Sequence, residues 1–163
     1  ATRKPLARLL QKAAIASDAW RFNGLTIDTA RYRLAPGVRA FGVRASHSGS
    51  SRANPAGETV LNLYVHKNGR LQMVLAGLTT SSSRGEWDTS CTGEFSQTER
   101  TIEIGKTTSH GYADLLVKSV TTGSRNSAEN DECIETTLAP VVTMDTLRYD
   151  GNTYVIPAAL RGL

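Results

Sequence analysis

The dipeptide Asn68-Gly69 lies between two apolar runs, Thr59 to His66 and Leu71 to Leu78. Both residues accept positive φ at low cost, so Asn-Gly closes a two-residue turn whose twist matches that of paired strands. An antiparallel hairpin is therefore expected around Lys67-Asn68-Gly69-Arg70, and it sets the style of the rest of the chain. Leu25 to Leu34 alternates weakly, and Phe41, Val43 and Ala45 alternate with Arg39 and Arg44. SHSGSSRANPAG and Thr79 to Gly85 read as polar loops. Glu86 to Phe95 and Glu99 to Ile104 read as strands, and Tyr112 to Thr121, with Leu115, Leu116, Val117 and Val120, as a central one. Gly123 to Asp131 reads as a loop, Cys133 to Leu138 and Thr143 to Tyr149 as strands, and Asp150-Gly151 as a turn into Thr153 to Ile156.

One segment has a different period. From Pro5 to Trp20, Leu6, Leu9, Leu10, Ala13 and Ala14 recur at helical spacing, Pro5 suits a first turn, and Asn23-Gly24 ends the run. The fold class is thus mainly β, of α+β type: an N-terminal helix over about 5–20 packed on an antiparallel meander or small barrel-like sheet over about 25–157. At 163 residues one core and a single domain over 1–163 are expected. No stretch reaches the roughly 20 uninterrupted apolar residues of a membrane span, so no transmembrane segment is expected. The first twenty residues carry charges throughout and lack the apolar core of a signal peptide, so an export signal would lie outside this sequence.

The net charge of +4 conceals an asymmetry. Residues 1–70 hold 12 Lys and Arg against three Asp and Glu, a balance of +9, whereas residues 71–163 hold seven against 12, a balance of −5. No basic run is interleaved with aromatics, which argues against nucleic-acid binding. The acidic second half would instead attract a basic partner and speed encounter by steering.

Cys91 lies in DTSCTGEF and Cys133 in NDECIETT. An inert buried thiol is out of place in such polar segments, and the nearby carboxylates disfavour a reactive thiolate. A disulfide is the better account. Closing its loop of 42 residues would stabilise the fold by about 4 kcal/mol through chain entropy, and it would place the protein in an oxidising compartment, periplasmic or extracellular.

Signals for catalysis are weak. His47, His66 and His110 have no ligand at metal spacing, and the elbow G-x-S-x-G is missing around Ser48 and Ser50. Glu86 and Asp88, two residues apart on a strand, share a face and do not define a cleft. NSAENDE lacks the ordered ligand spacing of a Ca²⁺ loop, and no phosphate-binding glycine motif occurs. The expectation is no enzyme, no cofactor and no metal. The residues best placed for partner recognition are Glu86, Trp87 and Asp88, Tyr112, Asp131 and Glu132, and Tyr149: aromatics among polar neighbours, close to acids.

GYADLLV followed by LRYDGNTYV resembles a pattern of small secreted or periplasmic bacterial proteins, among them immunity proteins and inhibitors of wall-degrading enzymes. The likeness covers Ser109 to Val155. It implies a disulfide-bearing β protein that blocks a basic toxin or lysozyme-like, peptidoglycan-degrading hydrolase. SHSGSSR is also similar to the Ser-Gly loops that some lysozyme inhibitors insert into an active site, but the Tyr expected to follow is absent and no role carries over. The other reading is a cell-envelope structural or carbohydrate-binding module, with Trp87 and the tyrosines as stacking platforms.

Overall fold

A computed structural model describes residues 4–162. Seven antiparallel strands follow one another in space in the order in which they occur in the chain. They are β1 (Trp20–Ala35), β2 (Val38–Gly49), β3 (Ala56–Lys67), β4 (Arg70–Trp87), β5 (Gly93–Ser109), β6 (Tyr112–Glu129) and β7 (Glu132–Leu147). A single 3-10 turn, Ala158–Leu160, is the only helical element among the described residues. The meander is confirmed, and its strands are longer than the sequence suggested.

Two-residue turns set the registers. Asn68 and Gly69 have φ of 51° and 73°, His110 and Gly111 have 49° and 84°, and Asn130 and Asp131 have 50° and 65°. Positive φ at both central positions is the hallmark of the I′ turn that joins twisted strands. Thr79 to Gly85 and Gly123 to Glu129, expected as loops, are strand. Cys133 to Leu138 and Thr143 to Tyr149 fall largely in one strand, β7. In these stretches the ladder is held by backbone pairing and by polar cross-strand bonds such as Ser81 Oγ to Glu99 Oε1 (2.7 Å) and Arg125 Nε to Glu94 Oε1 (2.8 Å), not by apolar burial.

The core occupies one end. Leu61, Leu63 and Val65 of β3 alternate inward and are fully buried with Val74, Leu75 and Leu78 of β4, Leu115 and Val117 of β6, and Leu147 of β7. Each such side chain contributes on the order of 1.5–3 kcal/mol through removal from water. β4 and β5 pair only from Ser81 to Trp87 against Gly93 to Glu99. Beyond Thr80 the two diverge, β1 lies against β5 and β6, and the sheet folds over its own core.

The C-terminal segment closes the gap this leaves beside β4. The Tyr154 amide donates to Val74 O (2.8 Å), and the Gly162 amide to Gly77 O (3.0 Å). Gly77 makes this possible: at φ 83° it forms a bulge whose own amide donates to Asn62 Oδ1 (2.8 Å). The buried Tyr154 hydroxyl donates to Ala113 O (2.7 Å). Inside the fold, Arg44 donates to Asp28 Oδ2 (2.7 and 2.9 Å) and to Thr80 Oγ1 (2.7 Å), and the Tyr32 hydroxyl donates to Asp28 Oδ2 (2.9 Å). Burial pushes the Asp28 carboxyl up, but the Ala30 amide, Arg44 and Tyr32 outweigh it and hold it below its usual value.

The expected helix is absent. Residues 4–19 form an irregular strap across the outer face of β1, β2 and β3. Gln11 is bonded to Tyr64, opposite Phe41 on β2, whereas Trp20 stands opposite Gly49. Those anchors are eight strand residues apart, roughly 26 Å. Nine helical residues span only about 14 Å, so the chain must run extended, and Ala13 at φ 50° interrupts the spiral outright.

Candidate functional site

The Cys91–Cys133 disulfide forms, with Cα atoms 5.7 Å apart. It lies at the end of the sheet remote from the core and joins two turns. The first, between β4 and β5, is built by Asp88: its Oδ1 accepts from the amides of Ser90 (2.9 Å) and Cys91 (2.8 Å) and from the Ser90 hydroxyl (3.0 Å). These donors, the Cys91 amide foremost, lower the Asp88 carboxyl to about 2. The second is the Asn130-Asp131 turn, where Glu129 faces Glu132 and Ala128 faces Cys133.

Between the turns, four strands align in register. Trp87 faces Gly93, Gly93 faces Asn126, and Asn126 faces Glu135; one rung further in, Glu86 faces Glu94 and Glu94 faces Arg125. Arg125 is committed to Glu94 at 2.6 Å. Glu86, Asp88, Glu94, Glu129, Asp131, Glu132 and Glu135 are all exposed, so this end of the sheet carries a dense negative field held by a covalent tie. A field of that kind raises encounter rates with cations and basic proteins.

Trp87 is half-buried and fixed. Its indole Nε1 donates to Arg52 O (2.7 Å), its amide donates to Ala53 O (3.0 Å), and its ring lies 6.1 Å from that of Phe95. The loop before β3 therefore lies along β4 and braces the acidic end. Glycine at 85 is required by this packing, because a Cβ there would stand 2.6 Å from the Phe95 ring.

The sequence assigned seven residues to one binding face, and the structure brings five of them to this end: Glu86, Trp87, Asp88, Asp131 and Glu132. Tyr112 and Tyr149, named as recognition residues, are elsewhere and are core-packed. They are 7% and 5% exposed in the core, with ring centroids 4.5 Å apart, and Tyr149 also packs on Tyr154. Glu94, Arg125 and Glu135 join the site only through cross-strand register, which no local motif shows. His110 Nδ1 contacts Tyr149 O (2.9 Å), and His47 lies against Phe22. Among the described residues no three His, Cys, Asp or Glu side chains converge as metal ligands, and no helix is long and apolar enough to cross a membrane.

No family model matches the chain, and neither a curated protein nor a solved structure is significantly similar to it. The site's own geometry therefore carries the functional reading.

Proposed function

We propose that this chain is a binding protein of an oxidising compartment, periplasmic or extracellular, whose disulfide end grips a basic protein partner. The observation that carries the reading is the Cys91–Cys133 bridge, which ties two carboxylate-bearing turns into one rigid, exposed surface. A pre-ordered surface loses little conformational entropy on association, and its charge steers a partner of opposite sign. The resemblance of residues 109–155 to immunity proteins and hydrolase inhibitors supplies the class of partner, a peptidoglycan-degrading toxin or lysozyme-like hydrolase. Function is then occlusion of the partner's active site.

The test is a turbidity assay with a basic lysozyme as probe. The wild-type chain is expected to slow lysis, less so at high salt, and the triple variant Glu86→Lys/Asp131→Lys/Glu132→Lys to lose the effect while keeping its melting temperature. Failure of the wild type to bind or inhibit basic hydrolases at micromolar concentration sinks the reading. Co-sedimentation with purified peptidoglycan alone would support the envelope module in its place.

A further inference from the structure

The seven strands form an open sheet, so β1 and β7 each leave one edge unpaired among the described residues. Such an edge presents a row of backbone N–H and C=O groups and is a template for another strand unless something blunts it. Along β7 nothing covers it: every residue from Glu132 to Met144 is exposed, and Val141, Val142 and Met144 are each more than half exposed. The usual guards are few. No Lys or Arg occurs between Asn130 and Leu147, and Pro140 sits at the irregularity opposite Thr122, where the ladder with β6 is already interrupted.

β1 leaves a matching edge. From Trp20 to Arg31 it contains no buried residue, and Leu25 and Ile27 are more than half exposed. The apolar pairs of the two edges lie on the same surface of the sheet. Leu147 is fully buried, so alternation turns Val142 and Met144 outward, Met144 beside the exposed Lys118. Leu25 and Ile27 face Ala45 and Val43, which line the outer surface beneath residues 4–19. The charges of the edges are opposite. β7 carries Glu132, Glu135 and Asp145 and no cation, whereas β1 carries Arg21, Arg31 and Arg33, all exposed, and its one acid, Asp28, is bound within the fold by Arg44 and Tyr32. Two β7 edges brought together would set acids against acids, and two β1 edges arginines against arginines. β7 against β1 joins opposite charges and like surfaces.

We infer that the occupant of the β7 edge is β1 of a second copy of this chain, the two sheets joining strand to strand in a head-to-tail contact. The backbone ladder supplies the attraction, Val142 and Met144 run on into Leu25 and Ile27 of the neighbouring copy, and the charges select the edge. The contact uses different patches on the two copies, so it repeats, in a ring where the rotation closes and in an open array where it does not. It is also short. The regular stretch of β1, Trp20 to Asp28 ahead of the bulge before Tyr32, spans roughly 30 Å, which places the contact among the weak, reversible ones. It requires no partner protein, so it stands or falls without the reading of the disulfide end, although Glu132 serves both.

Sedimentation equilibrium of the wild-type chain alone is expected to show mass rising with concentration between about 10 μM and about 1 mM, as a contact of this size requires. Arg21→Glu/Arg31→Glu and Glu132→Lys/Glu135→Lys are each expected to weaken association by about tenfold or more. An equimolar mixture of the two variants is expected to associate again, because the acidic edges of one then meet the basic edges of the other. A monomer throughout, association that survives the β1 reversal, or a mixture that stays apart would each overturn the inference. Hydrogen exchange of the wild type needs no variant to fold: amides in Trp20–Asp28 and Glu132–Met144 should slow with rising concentration at alternate positions, since every second amide faces the free edge. Exchange that is indifferent to concentration, or that slows elsewhere, overturns it. Slowing at β7 that appears only with added basic lysozyme would assign the edge to a partner protein and overturn it as well.

Discussion

Replacing both cysteines with alanine separates the role of the disulfide in the whole fold from its role at the acidic end. The bridge closes a loop with a sequence separation of 42, and the chain-entropy relation gives about 4 kcal/mol for a loop of that size. For a domain of this length each kcal/mol corresponds to roughly 2–4 °C, so the melting temperature is expected to fall by about 8–16 °C. The denaturant slope is expected to rise slightly, because the unlinked denatured chain exposes more surface. Locally the loss is larger. From Glu132 to Met144 β7 pairs only with β6 and has every residue exposed, so without the bridge nothing buried holds its first turn. Amide exchange should accelerate most from Glu132 to Leu138, while Leu63, Val65 and Leu115 accelerate only by the global loss and remain the better protected amides. A melting temperature within about 2 °C of wild type, or uniform acceleration across core and edge, would refute the argument that the bridge braces an uncored extension of the sheet.

Two further perturbations probe the folded-over core. At Gly42 a Cβ would stand 2.6 Å from Leu61 Cδ1 and 2.9 Å from Asp28 Cβ, so Gly42→Ala is expected to cost about 1–3 kcal/mol by overpacking; an unchanged urea midpoint would show that Leu61 yields freely. Burial, with help from the Asp28 carboxylate, pushes the Tyr32 hydroxyl up to about 12, and burial raises Tyr154 as well. Because the fold holds both phenols protonated, their contribution is full below the ordinary tyrosine value of about 10 and is lost as pH climbs from there through about 12. Thermal melts between pH 9 and 12.5, followed with absorbance at 295 nm, should show stability falling as the last phenols ionise; tyrosines that all titrate near pH 10 without unfolding would contradict it.

The parts of the fold legible in the sequence are those where chemistry is local. Asn68-Gly69 announced its hairpin because the turn residues themselves carry the required φ. His110-Gly111 and Asn130-Asp131 make the same turn, and these were readable on the same grounds, the first from its glycine and the second from two residues tolerant of positive φ. The polar strands were not legible, since Thr79 to Gly85 and Gly123 to Glu129 bury no apolar face and their strand character comes from neighbours already in place. Residues 4–19 misled because helical spacing is a statement about one face, whereas the anchors of the strap demand reach. At the site, the acids were found by composition, but Tyr112 and Tyr149 were misplaced: polar neighbours in sequence alternate to the opposite face of a strand and say nothing about burial of the aromatic between them.

Charge placement in space follows from topology. In a strict meander strand order equals sequence order, so the asymmetry of +9 in residues 1–70 against −5 in residues 71–163 is carried into space, not averaged out. β1 and β2 carry arginines at 21, 31, 33, 39 and 44, of which Arg44 is paired with Asp28. The carboxylates gather where β4 to β7 run past the core. Exchange of the exposed members of the two sets, with the interior Arg44–Asp28 pair left in place, would spare the core and invert the field, so nothing in folding demands this arrangement. A basic partner drawn to the disulfide end is the ligand that such a separation favours. Raising ionic strength is therefore expected to slow association with a basic partner at the disulfide end while leaving the melting temperature nearly constant, because exposed charges steer over a screened distance of about 8 Å at physiological salt and contribute little to the fold itself.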